Sequence, residues 1–440
     1  MKIIEYTLGL PPFRRGGLPR YSMDLSKELA KNNEVYLMYP GQINPYSKKI
    51  KLSQKKSKYL FKIIEMKNPL PVSLGLGVTD EKYYIESRDI SELKKLVKKI
   101  KPEVIHFHTL MGVPKEFLEY LHNIKIRTVY TTHDFYGLCP KMLSKDPMKE
   151  LVSSKCSYDC MLCNIGPSYK KILIMQSHLY KCLKEKKLVQ VIRSKNKTNI
   201  STNTESVSIN LTQAALRYKL RKYYLEMFKL IDIFHFNSSI SQKYFQKFLP
   251  NVNGKVIPIT HSRLKDDRQK RIYKKHKTIH LGYVGPYDRK KGFFLYTNIL
   301  KEIAKKYNFK ADFYGDVVDR NIFQDKQFVN HGVISSEKLQ REYQKIDILI
   351  VPSLWHETFG YVVLEALLEG TPCLVSDNVG AKDLVPIDWR FRNSSDLKSD
   401  LINIISNSDC IENMIKKTAR LKLSYEMDKH VKDIMNELYI

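Results

Sequence analysis

Nowhere in the 440 residues is there a run of about 20 uncharged apolar residues, so no membrane-spanning helix is expected. A leader peptide is missing from the reading too. In MKIIEYTLGL a single Lys2 precedes a short apolar run that contains Glu5, and no small-residue cleavage site follows. The stretch reads as a first strand and the chain as cytoplasmic. Disulfides are not expected either: seven cysteines, an odd number, argue for thiols or metal ligands in such a chain. Acidic residues are outnumbered by basic ones. The 46 Asp and Glu against 75 Lys and Arg leave a net charge of +29, of which +23 lies in residues 1–250 and +6 in 251–440. Runs such as KKIKLSQKKSK (48–58) and KCLKEKKLVQVIRSKNK (181–197) would attract nucleic acid or an anionic membrane leaflet. Lysine-rich composition alone is the plainer explanation. No RNA- or DNA-binding motif is recognisable, so nucleic acid is not an expected partner, whereas an anionic membrane surface is.

What is present is a repeated alternation of short apolar runs with amphipathic segments, the pattern of a parallel sheet flanked by helices. Strands are expected at 2–8, 34–40, 103–109, 127–133, 232–238 and 255–260, and again at 278–285, 309–315, 328–334, 347–353 and 372–377. The charged segment HSRLKDDRQKRIYKKHK (261–277) interrupts the series, and 263–277 reads as a basic linker. Residues 140–215 fit neither series and read as an insertion. The expectation is α/β: two doubly wound, Rossmann-like domains, 1–262 and 278–415, facing a central cleft with ligand at the strands' carboxyl ends.

The strongest motif is DILIVPSLWHETFGYVVLEALLEGTPCLVSD (347–377). A buried strand ends at Pro352-Ser353, a loop carries Glu357, and a helix starts near Gly360. Gly370 and Pro372 are the residue types expected just past its end. Glu365 follows Glu357 by eight positions, in the second turn of the helix. The amides of Phe359, Gly360, Tyr361 and Val362 stand at a helix N-terminus, a ready site for phosphate. This E-x7-E pair followed by G-T-P resembles the retaining glycosyltransferases of family 4, or group 1, which have the GT-B fold.

The resemblance implies that Glu357 lies by the donor sugar and Glu365 binds the nucleotide ribose. It extends to LGYVGPYDRKKGFFLYTNIL, where Lys291, before Gly292, would grip the donor diphosphate and stabilise the charge on the leaving group. The sequence departs from the family here: Pro286 stands where an Arg usually follows the strand glycine, and Arg289 or Lys290 would have to substitute. In the N-terminal half, Gly16 and Gly17 resemble the family's glycine loop beside the donor phosphates. His133, closing a strand, resembles its functional His near donor sugar and acceptor. His106 and His108, on one strand face, are expected to be structural. The segment 416–440 resembles a closing helix that returns to the N-terminal domain.

Cys156, Cys160 and Cys163 are spaced C-x3-C-x2-C, with Cys139 upstream. Two readings stay open for them: a structural zinc held by four thiolates, or plain reduced thiols. The family resemblance implies transfer of a sugar from a nucleotide-sugar, a UDP-sugar being the expected donor, to a lipid-linked or polysaccharide acceptor in capsule, exopolysaccharide or envelope synthesis. No catalytic metal is expected, and the expected place is the inner membrane face. The alternative is a catalytically weak GT-B subunit, its phosphate grip altered at Pro286, acting as a partner of another glycosyltransferase.

Overall fold

The computed structural model describes residues 1–11, 13–14, 16–73, 78, 80–138, 168–185, 211–271, 278–317 and 321–440. The chain divides into two units: Met1–Asn237, Ser241–Ser262 and Met427–Ile440 form the first, and Ser238–Ile240 with Arg263–Glu426 the second.

Unit 1 is built on β1 (Lys2–Tyr6), β2 (Glu34–Pro40), β3 (Lys51–Lys55), β4 (Lys62–Lys67), β5 (Val104–Phe107), β6 (Arg127–Thr131), β7 (Ile233–Phe236) and β8 (Gly254–Val256). The sheet order is β3-β4-β2-β1-β5-β6-β7-β8. Every pairing is parallel except β3 with β4. A parallel strand covered on both faces must be apolar along its whole length, and β5 and β7 are buried at every residue. The antiparallel edge pair is absent from the sequence reading. Residues 48–58 look like a polybasic run, yet Lys51 is exposed and Lys55 partly so on β3, the arrangement by which edge strands resist further pairing.

Unit 2 carries β9 (Ile279–Val284), β10 (Phe309–Tyr314), β11 (Phe328–Asn330), β12 (Ile348–Val351), β13 (Cys373–Ser376) and β14 (Arg390–Phe391), all parallel, in the order β11-β10-β9-β12-β13-β14. Tyr283, Phe293, Tyr296 and Phe313 pack as one aromatic group between this sheet and the Phe293–Ile303 helix. Strand order reverses between β1 and β5 in unit 1, and between β9 and β12 in unit 2. Loops leaving the carboxyl ends of strands that flank a reversal diverge and leave a crevice, where ligands of open α/β sheets bind.

Two boundaries differ from the sequence reading. The described part of the charged 263–277 segment is not a free linker. The Arg268 guanidinium donates to the carbonyls of Thr418 and Leu421, and that of Arg271 to the carbonyls of Tyr343 and Ile346 and to the Thr371 hydroxyl. Its arginines thus satisfy carbonyls around helix ends in unit 2, a use that charge alone does not reveal. The returning segment starts at Met427, not 416, because the Ser408–Arg420 helix belongs to unit 2. It comprises a helix, Met427–Ile434, and a π-turn, Met435–Tyr439. Within the expected insertion, helices occupy Tyr169–Met175 and His178–Glu185, and Leu211–Phe228 begins before its expected end.

Candidate active site

In unit 2 the loops after the two reversal strands converge. The loop after β9 carries Lys291, and the loop after β12 carries Glu357. Lys291 Nζ stands 2.8 Å from Glu357 Oε2. The contact depends on the neighbouring glycine. Gly292 has φ 73°, and a Cβ there would fall on the Pro352 carbonyl oxygen at the end of β12. Only glycine lets the first loop lie directly on the second strand. The Lys291 amide donates to Asp288 Oδ1, and the Lys290 carbonyl accepts from the amides of Leu354 and Trp355. Glu357 is pinned equally well: its amide donates to the Asn378 carbonyl and its carbonyl accepts from the Gly380 amide.

Gly360, at φ 107°, turns the chain into the Tyr361–Leu368 helix, and a Cβ there would lie 2.7 Å from Val379 Cγ1. The first-turn amides of such a helix have no carbonyl a turn earlier and face the end of the helix. Phe359 contributes only its backbone, since its ring is buried. Tyr361 and Val362 are half-buried in the first turn. Glu365 has a separate partner, Tyr343, whose hydroxyl donates to Oε2 at 3.3 Å. Gly370, at φ 78°, closes the helix.

Pro286 is exposed, and its carbonyl accepts from the Tyr283 hydroxyl. Of the two cations that could substitute for an Arg there, Lys290 places Nζ 5.0 Å from the Trp355 ring centre, while the Arg289 side chain is exposed.

In unit 1, Gly16 (φ 137°) precedes the Gly17–Leu29 helix, and a Cβ added to it would meet nothing nearer than Pro19 Cδ at 4.0 Å. Its backbone is therefore approachable by a ligand. His133 lies two residues beyond β6 and joins a network that the sequence reading did not assemble. Glu5 Oε2 is 2.6 Å from His108 Nε2, and His108 Nδ1 is 3.2 Å from His133 Nε2. Tyr439 donates its hydroxyl hydrogen to Glu5 Oε1 at 2.8 Å, and His106 bridges Tyr439 and Thr131. Tyr21 sets its ring edge-on to His133, with centres 4.9 Å apart, and its hydroxyl is 2.7 Å from His430 Nε2.

The protonation states follow from this wiring. Burial raises the Glu5 pKa, but the charge and hydrogen bonds of His106 and His108 outweigh it and hold the carboxyl at about 2. Burial, with the nearby His106, pushes His108 down to about 4. Burial and the surrounding histidines also depress His133. At neutral pH His108 thus donates from Nε2 to an ionised Glu5 and accepts at Nδ1 from His133 Nε2–H.

Glu5, His106 and His108 form a donor set that could ligate a metal, their ligand atoms lying within 4.8 Å of one another. Their polar atoms are already engaged with one another and with Tyr439, Thr131 and His133, which accounts for the cluster as a hydrogen-bonded core. The one sequence signal for it is Glu5, an acid inside an apolar strand. Cys139, Cys156, Cys160 and Cys163 lie outside the described residues.

Two parallel-sheet units of reversed strand order, with a Lys–Gly turn and a glutamate loop meeting at the second reversal, define the GT-B class of glycosyltransferases. The comparisons narrow this. Residues 264–417 match the family model for "Glycosyl transferases group 1", and residues 15–154 that for "Glycosyltransferase Family 4". The chain belongs to this group 1, family 4 glycosyltransferase family. An uncharacterized glycosyltransferase of Methanocaldococcus jannaschii is 28% identical over 111 residues, a match that spans 23% of this chain and 28% of that relative. Among solved structures, the sucrose-phosphate synthase of Thermosynechococcus elongatus aligns over 100% of this chain and 96% of its own, with 14% identity and a TM-score of 0.54. Anabaena HepE, in complex with UDP and glucose, aligns over 99% and 98%, with 13% identity and a TM-score of 0.54. The lipopolysaccharide outer core galactosyltransferase WaaB aligns over 100% and 99%, with 12% identity and a TM-score of 0.55. At these identities the likeness is one of fold.

Proposed function

We propose that the protein transfers a sugar, with retention of anomeric configuration, from a UDP-sugar to a lipid-linked or polysaccharide acceptor of the bacterial envelope. The observation that carries the reading is the 2.8 Å contact of Lys291 with Glu357 at the strand reversal of unit 2. A cation and a carboxylate held there by glycine-dependent backbone suit a diphosphate and a sugar hydroxyl respectively. The bond between the donor's C1 and its phosphate oxygen breaks. The acceptor oxygen bonds to C1 on the same face, and the acceptor proton passes to the departing diphosphate. Lys291 and the first-turn amides of the Tyr361 helix stabilise that diphosphate, Glu365 holds the ribose, and His133 serves the donor sugar and acceptor. The approachable backbone at Gly16 and Gly17 serves the phosphates. The UDP bound by Anabaena HepE supports the choice of nucleotide.

Catalysis in this scheme uses no metal. The positive charge of residues 1–250 supports docking on the anionic inner face of the membrane, and no helix among the described residues is long and apolar enough to cross it. Pro286 favours a second reading, a catalytically weak binding subunit, because the position offers no cation. The test is donor hydrolysis and transfer over a panel of nucleotide-sugars, with and without chelator. Turnover insensitive to chelator and abolished in Glu357→Ala is expected. Undiminished turnover in that variant would sink the assignment, and no turnover with any donor, alongside intact UDP binding, would favour the second reading.

A further inference from the structure

The hydrogen-bonded core around Glu5 has a direction. An ionised carboxylate can only accept, so Glu5 Oε2 takes the hydrogen of His108 Nε2 at 2.6 Å and Oε1 that of the Tyr439 hydroxyl at 2.8 Å. Neutral His108 then has an acceptor at Nδ1, where His133 Nε2 lies at 3.2 Å. The run from Glu5 through His108 to His133 thus has one order of donors and acceptors, set from its carboxylate end.

Packing holds the same group. The Tyr21 ring stands edge-on to His108 and His133, with centres 5.5 and 4.9 Å apart, and its hydroxyl is 2.7 Å from His430 Nε2. Both supports are therefore pinned by the returning segment Met427–Ile440, in which Tyr439 holds Glu5 and His430 holds Tyr21. Glu5, Tyr21, His108, His430 and Tyr439 are all buried, and His133 alone of this set is partly exposed. A sheet core does not need such a run. Burying a carboxylate and its partners costs free energy unless every polar atom is matched, and apolar side chains of similar volume would fold without that demand. A buried run that surfaces at a single histidine is the arrangement by which a carboxylate holds an imidazole in one tautomer and one orientation.

We propose that Glu5 and His108 are positioning residues for His133: they set which of its ring nitrogens carries hydrogen and fix the plane of its ring. The inference rests on the reading of His133 as the group that serves the donor sugar and acceptor. Glu5 and His108 act through His133 alone. Tyr439 and His430 extend the arrangement to the returning segment, so docking of that segment aligns His133.

Two substitutions at His108 separate this role from a purely structural one. Gln places its amide near the Nε2 position and keeps the bond to Glu5, whereas Asn places its amide near the Nδ1 position and keeps the bond to His133. His108→Gln should therefore leave the urea midpoint close to that of the unmodified protein and UDP affinity within about two-fold, while the kcat of transfer falls about 10-fold or more. His108→Asn, which leaves Glu5 Oε2 unpaired, should lower the midpoint yet lose less transfer than His108→Gln. A core role alone predicts the reverse, with transfer tracking stability and His108→Asn the worse of the two, and that order would overturn the proposal. NMR of the full chain, isotope-labelled at its histidine nitrogens, decides the contact even where no donor is turned over. A hydrogen bound to His133 Nε2 and coupled to His108 Nδ1 is expected; a hydrogen on the other nitrogen, or no coupling, would overturn the proposal. A bound metal ion that His108→Gln removes would do so too, since the same atoms would then be its ligands. Full transfer by His133→Ala would sink the reading of His133 itself. Transfer lost in His133→Ala but intact in His108→Gln would sink this inference alone.

Discussion

Replacing Glu357 with Gln should separate nucleotide binding from transfer. In the structure Lys291 Nζ is committed to Glu357 Oε2 at 2.8 Å, with the two side chains 36% and 13% exposed. A diphosphate that takes Lys291 must first displace this carboxylate. An ion pair of that exposure contributes up to about 1 kcal/mol once solvent screening is allowed for. Removing the carboxylate's charge therefore lowers the cost of recruiting Lys291 by about 1 kcal/mol, and UDP should bind about five-fold tighter. Repulsion between the carboxylate and the diphosphate acts in the same direction. Transfer should fall by about 100-fold or more, the scale on which a lost charge-positioning group acts. Calorimetric titration of UDP alongside steady-state transfer checks both. UDP binding weakened in step with transfer would refute the reasoning, since Glu357 would then hold the nucleotide rather than the sugar.

The loop geometry and the buried histidines give two more tests. Gly292→Ala should destabilise unit 2 by about 2 kcal/mol or more, because a methyl group meets the Pro352 carbonyl at a positive φ; Gly16→Ala shares the positive-φ strain but meets only Pro19 Cδ at 4.0 Å, so it should cost less in the same urea unfolding series. Unit 1 should also be acid-labile: His108 (about 4) and His430 (about 3) have folded pKa values depressed below 6.5, so the unfolded chain takes protons first as pH falls. Stability present above pH 6.5 is then lost on acidification at up to ~1.4 kcal/mol per pH unit for each such histidine. Glu5, depressed from 4.5 to about 2, adds its loss between those values. Urea midpoints that do not change from pH 7.5 to 5 would contradict these protonation states.

Sequence periodicity sufficed for the two doubly wound units because parallel strands buried on both faces are continuous apolar runs, as β12 and β13 are. The β3–β4 pair escaped the same logic, since an exposed edge strand tolerates the lysines that disguise it. Lys291 and Glu357 were each legible from local motifs, but their contact depends on two loops 66 positions apart meeting across a glycine, which no local pattern encodes. The Glu5–His108–His133 chain was less accessible still. Its members come from three strands or their ends, and hydrogen bonds across a sheet leave no spacing in the sequence. The arginines at 268 and 271 were misread for a related reason: burial of a guanidinium against distant carbonyls looks, in sequence, like any other charge.

The hydrogen bond from Tyr439 to Glu5 spans 434 positions. A ribosome emits Glu5 well before Tyr439. Until then Glu5 has His108 on Oε2 but lacks the Tyr439 hydroxyl on Oε1. Unit 2, contiguous from Arg263 to Glu426 apart from three residues, can assemble beforehand. Unit 1, although it is translated first, can finish folding only after unit 2 has been made. Its order of completion is the reverse of its order of synthesis.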